Sequence, residues 1–167
     1  MKRKKAVLDN VLSLTSKMPG ASWGISAKKC IIGAKLAQVK GTICNVCYAL
    51  KGRYVMKNVQ DAQDRRLAEF DTDPIAWTDH MVDAISKDVA RRGDNRFRWF
   101  DSGDVQSLLM LESIAEVARR TPHVDHWLPT KEYATVKSFL AKHGSFPSNL
   151  TVRLSAYKVD QQAPKLF

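Results

Sequence analysis

The chain has 167 residues, of which 44% are hydrophobic and 26% are charged, and its formal net charge is +10. This balance is typical of a soluble globular domain with a packed core. No stretch approaches the roughly 18–20 apolar residues that a bilayer-spanning helix needs, so a membrane function is not expected.

Positions 2–5 are all lysine or arginine. We expect residues 1–10 to form a flexible basic arm and residues 11–167 to form one domain. No signal-type apolar core follows the basic start, which favours a cytoplasmic, reducing location where cysteines bind metals or react. The positive charge favours an anionic partner, either nucleic acid or a nucleotide, although a solubilising tail would give the same composition.

The three cysteines of the chain, Cys30, Cys44 and Cys47, lie within residues 27–55. We predict a short strand at Ser22–Ser26 and a long structured loop over residues 27–55. Three thiolates are one ligand short of a closed structural zinc site, which normally has four protein ligands. The residues leave three interpretations open: an iron–sulfur cluster with one open iron position, zinc with a recruited histidine, or three structural thiols without metal.

The rest of the chain alternates between helical and strand-like patterns. Two helices come first, one from a cap at Asn58 to about Phe70 and one that starts at Asp73-Pro74. The predicted elements after them are a strand at Phe97–Phe100, a helix at Val105–Arg120, a strand at Val124–Leu128, a helix at Glu132–His143 and a strand at Leu150–Leu154. Strands separated by single helices indicate parallel β-α-β units. We therefore predict an α/β fold, either a partial β/α barrel or an open parallel sheet with flanking helices and a long cysteine-bearing loop.

The carboxyl ends of parallel strands share one edge of the sheet, where α/β proteins bind ligands. Polar residues at these strand ends, together with the aromatic residue after the last cysteine, are therefore the candidate binding residues: Tyr48, Asp101, Ser102, Gly103, Asp104, Thr130, Lys131, Arg153 and Ser155. Simpler roles are also open for some of them. Asp104 is in position to cap the helix predicted at Val105, Arg153 to face solvent, and Tyr48 to join the core. The four tryptophans are most simply core residues.

Three motifs, in matching order, resemble a family of bacteriophage proteins known as the gene-product-88 family. They are Gly41–Tyr54, which includes Cys44-Asn-Val-Cys47-Tyr48, then Phe97–Asp104 and Trp127–Tyr133. The resemblance covers roughly residues 12–160. Many members carry further cysteines near the C-terminus, so their absence here implies a shortened member.

A more distant resemblance is to radical S-adenosylmethionine enzymes, which place three cluster cysteines after the first strand of a partial β/α barrel. It implies a 4Fe-4S cluster on Cys30, Cys44 and Cys47, and S-adenosylmethionine near Asp101–Asp104. The cysteine spacing here is much wider than is common in those enzymes, and the chain is shorter. The implied activity is radical chemistry on nucleic acid or a nucleotide. The alternative is a zinc-stabilised basic module that binds nucleic acid or a host protein without catalysis.

Overall fold

The computed structural model describes residues 11–15, 18 and 20–165. The predicted basic arm at residues 1–10 lies outside the described residues. In chain order, the strands and α-helices are β1 (Ser22–Trp23), α1 (Ile31–Ala37), α2 (Lys57–Thr72), α3 (Pro74–Arg92), β2 (Arg96–Trp99), α4 (Leu108–Arg120), β3 (Asp125–Thr130), α5 (Tyr133–His143) and β4 (Leu150–Leu154).

The four strands form one parallel sheet in the spatial order β1-β2-β3-β4. One helix connects β2 to β3 and one connects β3 to β4, so the predicted β-α-β units are confirmed. A sequential strand order is also the order within a β/α barrel, whereas a doubly wound sheet reverses direction at a switch point. The predicted fold class, an α/β protein with a parallel sheet and flanking helices, is confirmed.

The sheet packs one face against the helices. In β2, Phe97 and Trp99 are buried, and Trp99 packs with Trp23 and Trp77 in a cluster whose ring centroids lie 5.2 to 6.2 Å apart. Trp127 on β3 is 40% exposed, so the prediction of a core position is wrong for this tryptophan. Because side chains alternate along a strand, burial of its neighbours His126 and Leu128 puts Trp127 on the opposite face.

Several predicted boundaries differ from the structure. The first strand ends at Trp23 because its partner β2 leaves the sheet at Phe100, which has a φ of 54°. Helix α4 begins at Leu108, where the Ser107 hydroxyl accepts a hydrogen bond from the Met110 amide (3.1 Å). Asp104 therefore does not cap this helix, and the polar side chain nearest its N-terminus has that role.

Of the two long helices that come before β2, one starts differently from the prediction and one starts as predicted. Asn58 does not cap the first long helix, because α2 begins at Lys57 and its capping position, Met56, makes no side-chain hydrogen bond. Asp73 does cap α3, since its carboxylate accepts hydrogen bonds from the amides of Ile75 and Ala76 (both 3.0 Å). Strand β3 extends to Thr130, so Pro129 and Thr130 belong to the strand and do not follow it.

The predicted long loop is largely helical. Besides α1, residues 27–55 contain four short 3-10 turns, at Ala27–Lys29, Ile43–Val46, Tyr48–Leu50 and Gly52–Val55. None of the helices in the described part of the chain has the length and apolarity needed to cross a membrane.

Candidate functional site

The segment that carries the cysteines, residues 27–55, lies across the carboxyl edge of the sheet. Three hydrogen bonds fix it there: the Tyr48 hydroxyl donates to the Asp101 carbonyl (2.5 Å), the Ile32 amide to the Glu132 carboxylate (2.9 Å), and the Ile43 amide to the Tyr157 carbonyl (3.0 Å). The three acceptors follow β2, β3 and β4 respectively. This cysteine segment therefore contacts the ends of three neighbouring strands, the edge where parallel sheets bind ligands.

The three cysteines are free thiols, and all are half-buried. Cys30 and Cys44 approach the same glycine: a Cβ added to Gly33 would lie 3.4 Å from the Cys30 Sγ and 3.7 Å from the Cys44 Sγ. The charge of Cys47 raises the pKa of both other thiols, so it too lies close by. The fold thus brings together thiols that are up to 17 positions apart in the chain.

The arrangement of the donor groups bears on whether the site suits a single metal ion or a cluster. Among the described residues, no group of three or more His, Cys, Asp or Glu side chains could hold a metal ion as placed. A single zinc ion needs every sulfur about 2.3 Å away. In a four-iron cluster each thiolate binds a different iron, so the sulfurs stand further apart. The thiols are donors of the soft kind that zinc and iron–sulfur clusters both use, and Gly33 keeps a side chain out of the space beside the Cys30 and Cys44 sulfurs.

Negative groups surround Cys30. Burial raises the pKa of Cys30 to about 12, and the nearby Asp104 and Glu132 carboxylates act in the same direction. Burial also raises the pKa of Cys44, although the positive charge of Lys131 opposes that shift. The Cys30 thiol therefore stays protonated at neutral pH, and a bound cation would have to displace its proton, since metals bind the thiolate.

Asp101 and Ser102 place unsatisfied polar atoms at the end of β2. Both are buried; Asp101 Oδ2 accepts a hydrogen bond from the Tyr54 hydroxyl (3.2 Å), but Asp101 Oδ1 and the Ser102 Oγ have no partner. Buried polar atoms without a partner are costly, and they indicate a ligand or an ordered water. Gly103 follows with a φ of 84°, and a Cβ there would lie 2.3 Å from the Ile25 Cγ1. Only glycine fits this approach.

Asp104 joins two strand ends. Its Oδ1 accepts hydrogen bonds from the Val105 amide (2.8 Å) and the Thr130 hydroxyl (2.6 Å), and its Oδ2 accepts one from the Lys131 amide (2.8 Å). These bonds favour the charged carboxylate, while burial raises its pKa. The carboxylate oxygens of Asp104 and the hydroxyl of Thr130 thus already make hydrogen bonds within the protein. This suits a role in positioning neighbouring groups better than direct contact with a ligand.

The remaining predicted residues are more dispersed. The Lys131 side chain lies near enough to Cys44 for its charge to oppose the rise that burial causes in the Cys44 pKa. Ser155 acts through its backbone, donating to the Thr130 carbonyl (2.9 Å) and accepting from the Tyr133 hydroxyl (2.5 Å). Arg153 is exposed on the sheet face that carries Trp127. The structure therefore gathers the thiols, Asp101–Asp104, Thr130 and Lys131, and leaves Arg153 on another surface.

The family model of gene product 88 matches residues 3–166, almost the whole chain. The chain belongs to the gene product 88 family. The comparison supports a phage protein, as the three sequence motifs predicted. No curated protein and no solved structure matches the chain.

Four residues of this gene product 88 protein that sequence reasoning missed also lie at the site. The Glu132 carboxylate accepts a hydrogen bond from the Ile32 amide at the start of α1, and Tyr54 packs edge-on against Tyr48 with ring centroids 5.7 Å apart. Arg66 and Arg98, with Tyr48, Tyr54 and Asp101, line a cavity of about 1200 Å³. For Glu132 a signal existed, since it directly follows Thr130-Lys131. The helical arginine Arg66 is 54 positions from its partner, the Leu12 carbonyl, and nothing local marked it.

Proposed function

We propose that this phage protein is an iron–sulfur protein similar to radical S-adenosylmethionine enzymes. The observation that supports it best is that Cys30 and Cys44 approach the same glycine, with Cys47 near enough to raise the pKa of both, at the carboxyl edge of a parallel sheet with sequential strand order. The proposed place of action is the host cytoplasm.

In this proposal Cys30, Cys44 and Cys47 hold a 4Fe-4S cluster. With S-adenosylmethionine bound, the cluster would supply the electron for reductive cleavage of the sulfonium. The cluster chemistry belongs to the cofactor, and the protein binds and orients it. The wide Cys30–Cys44 spacing is accommodated by α1, which lies between the two cysteines and begins at the Glu132 carboxylate.

The residues at the strand ends would orient S-adenosylmethionine, the second cofactor of this proposal. Asp101 Oδ1 is a hydrogen-bond acceptor without a donor, and the Ser102 hydroxyl beside it is also without a partner. An ammonium group or a ribose hydroxyl would satisfy both atoms, because each offers the complementary donors. The Lys131 side chain supplies a positive charge toward a carboxylate. Asp104 and Thr130 hold Lys131 in place through the hydrogen bonds at their strand ends.

Iron and sulfide analysis of anaerobically reconstituted protein tests the cluster. We expect about four iron and four sulfide per chain, with a broad absorption band in the visible blue. Replacing Cys47 with Ala should abolish the band. Val46→Ser is the matched control, since it changes an exposed neighbour in the same turn and keeps all three thiols. One zinc per chain, with no sulfide, would contradict the proposal and would instead favour the zinc-stabilised module.

Catalysis needs a second measurement. Cluster-loaded protein, reduced with dithionite in the presence of S-adenosylmethionine, should release 5′-deoxyadenosine, which chromatography detects. Asp101→Asn should weaken S-adenosylmethionine binding without loss of iron, because Asp101 is assigned to the second cofactor only. A full complement of iron without S-adenosylmethionine binding would leave an iron–sulfur protein and refute the enzyme.

A further inference from the structure

The face of the sheet opposite the helices carries a row of polar and aromatic side chains. Arg98 pairs with Trp127 and Trp127 pairs with Thr151 in the strand register, so the three side chains lie side by side on one face. Arg153, two residues after Thr151, continues that face along β4. We call Arg98, Trp127, Thr151 and Arg153 the open face.

Trp127 is the centre of the open face. The Arg98 guanidinium carbon lies 4.8 Å from the centroid of its ring, a distance typical of a cation–π contact. With 40% of its surface exposed, the indole still has area to offer a flat ligand. An exposed aromatic ring beside an arginine offers a flat stacking surface and a positive charge side by side, which a nucleotide base and its phosphate would complement.

The open face continues into the cavity of about 1200 Å³, because Arg98 belongs to both. The charged residues that line this cavity are Lys51, Arg53, Arg66, Arg98 and Asp101, four positive and one negative. Arg66 is only 8% exposed, and the Nε atoms of Arg66 and Arg98 are buried without a hydrogen-bond partner. Buried donors without a partner indicate a ligand or an ordered water, and an anion that entered the cavity would satisfy them.

We propose that single-stranded nucleic acid binds along the open face, with one base stacked on Trp127 and phosphates beside Arg98, Arg153 and the cavity arginines. Aromatic side chains in a basic groove are how proteins hold single strands, because every base has a stacking surface. A duplex would keep its bases from Trp127, and an acidic peptide would satisfy the charges but not the indole. The open face contains no cysteine, so the proposal is independent of the cluster.

Tryptophan fluorescence makes the test specific. Trp23, Trp77 and Trp99 are fully buried, so quenching by a stacked base reports Trp127. The full-length protein is titrated with oligothymidylate of about ten nucleotides, once as purified and once after cluster reconstitution. We expect saturable quenching in both forms. Separate iron analysis keeps failure of this proposal distinguishable from failure of the cluster proposal.

Variants locate the binding. Trp127→Leu should remove the quenching and weaken binding, measured by anisotropy of a labelled strand, by roughly tenfold. Trp127→Phe should retain part of the affinity, since a smaller ring still stacks. Arg153→Gln should weaken binding and reduce its salt dependence, because one phosphate contact is lost. Arg119→Gln on α4, where the arginine pairs with Glu116, is the matched charge control and should bind as the parent does.

Three results would each overturn the inference. The first is the absence of binding near physiological salt in both forms of the protein. The second is full affinity in Trp127→Leu and Arg153→Gln when circular dichroism shows that both are folded. The third is equal affinity for a duplex of the same length or effective competition by polyglutamate, which would show that charge alone is recognised.

Discussion

Protonation of His126 should destabilise the fold, and its surroundings make the size of the effect predictable. The side chain is 2% exposed and lies between Trp99 and Thr121. The indole Nε1 of Trp99 donates to His126 Nδ1 (3.2 Å), and an indole nitrogen can only donate. His126 Nδ1 must therefore carry no proton. The Thr121 hydroxyl donates to the Val117 carbonyl (2.7 Å), so it accepts from His126 Nε2 (2.8 Å).

This arrangement fixes the neutral tautomer and sets the direction of the pH effect. Burial lowers the pKa of His126 from 6.5 to about 4. Between these two values the unfolded chain binds more protons at this position than the folded chain does. The stabilising contribution is therefore fully present above pH 6.5 and is lost as the pH falls toward 4. From pH 7.5 to pH 4.5 the two pKa values give a loss of about 2.5 kcal/mol in the free energy of unfolding.

Urea unfolding at a series of pH values measures this loss. His126→Asn removes the titrating group but keeps an acceptor for the Trp99 indole. Between pH 7.5 and 4.5 its free energy of unfolding should therefore fall by about 2.5 kcal/mol less than that of the parent. His123→Gln, at an exposed position, is the control; the charge of His123 is the smallest cause of the His126 pKa shift, so its profile should stay close to that of the parent. Parallel pH profiles for the parent and His126→Asn would refute the assigned tautomer and the lowered pKa.

Four further substitutions test the local structure by urea unfolding. Gly103→Ala should lower the free energy of unfolding by at least about 2 kcal/mol, because its φ is positive and the added Cβ would overlap Ile25. Gly52→Ala should lower it by about 1 kcal/mol, because φ is positive there too but the space is open. Asp73→Ala should cost about 1 kcal/mol by removing the cap of α3. Asp104→Asn should cost about 1–3 kcal/mol, since an amide nitrogen cannot accept the hydrogen bonds the carboxylate receives. Equal losses for the two glycine variants, or no loss for Asp73→Ala or Asp104→Asn, would contradict these assignments.

The alternation of strands and helices was predictable because each element has a local sequence pattern. Asp73-Pro74 marks the start of α3, and Phe97–Phe100 and Leu150–Leu154 are short segments, rich in aromatic or branched side chains, between polar turns. Single helices between such runs require parallel crossovers. The exact ends were less predictable, because capping depends on competition between neighbouring polar residues. The N-cap of α4 is Ser107 and not Asp104.

The cysteines and the acidic strand end were predictable as candidates, since residue type alone marks soft metal ligands and buried carboxylates. What each residue contacts was not predictable. Asp104 bonds Thr130 from 26 positions away, and Tyr48 bonds the Asp101 carbonyl from 53 positions away. The exposure of Trp127 was missed because a strand of alternating burial does not reveal which face the helices cover until the whole sheet is assembled.

The way the cysteine segment is held bears on what a metal would do there. In a structural zinc site the metal supplies the folding energy, and the ligand loop has little else to order it. Here the segment already has two short helical turns around Cys44 and Cys47, and hydrogen bonds join it to three strand ends. Thr42 adds a further tie, since its hydroxyl lies 2.6 Å from the Leu36 carbonyl. Because these hydrogen bonds use none of the three thiols, a cluster bound as proposed would sit on a segment that is also attached to the sheet through its own contacts.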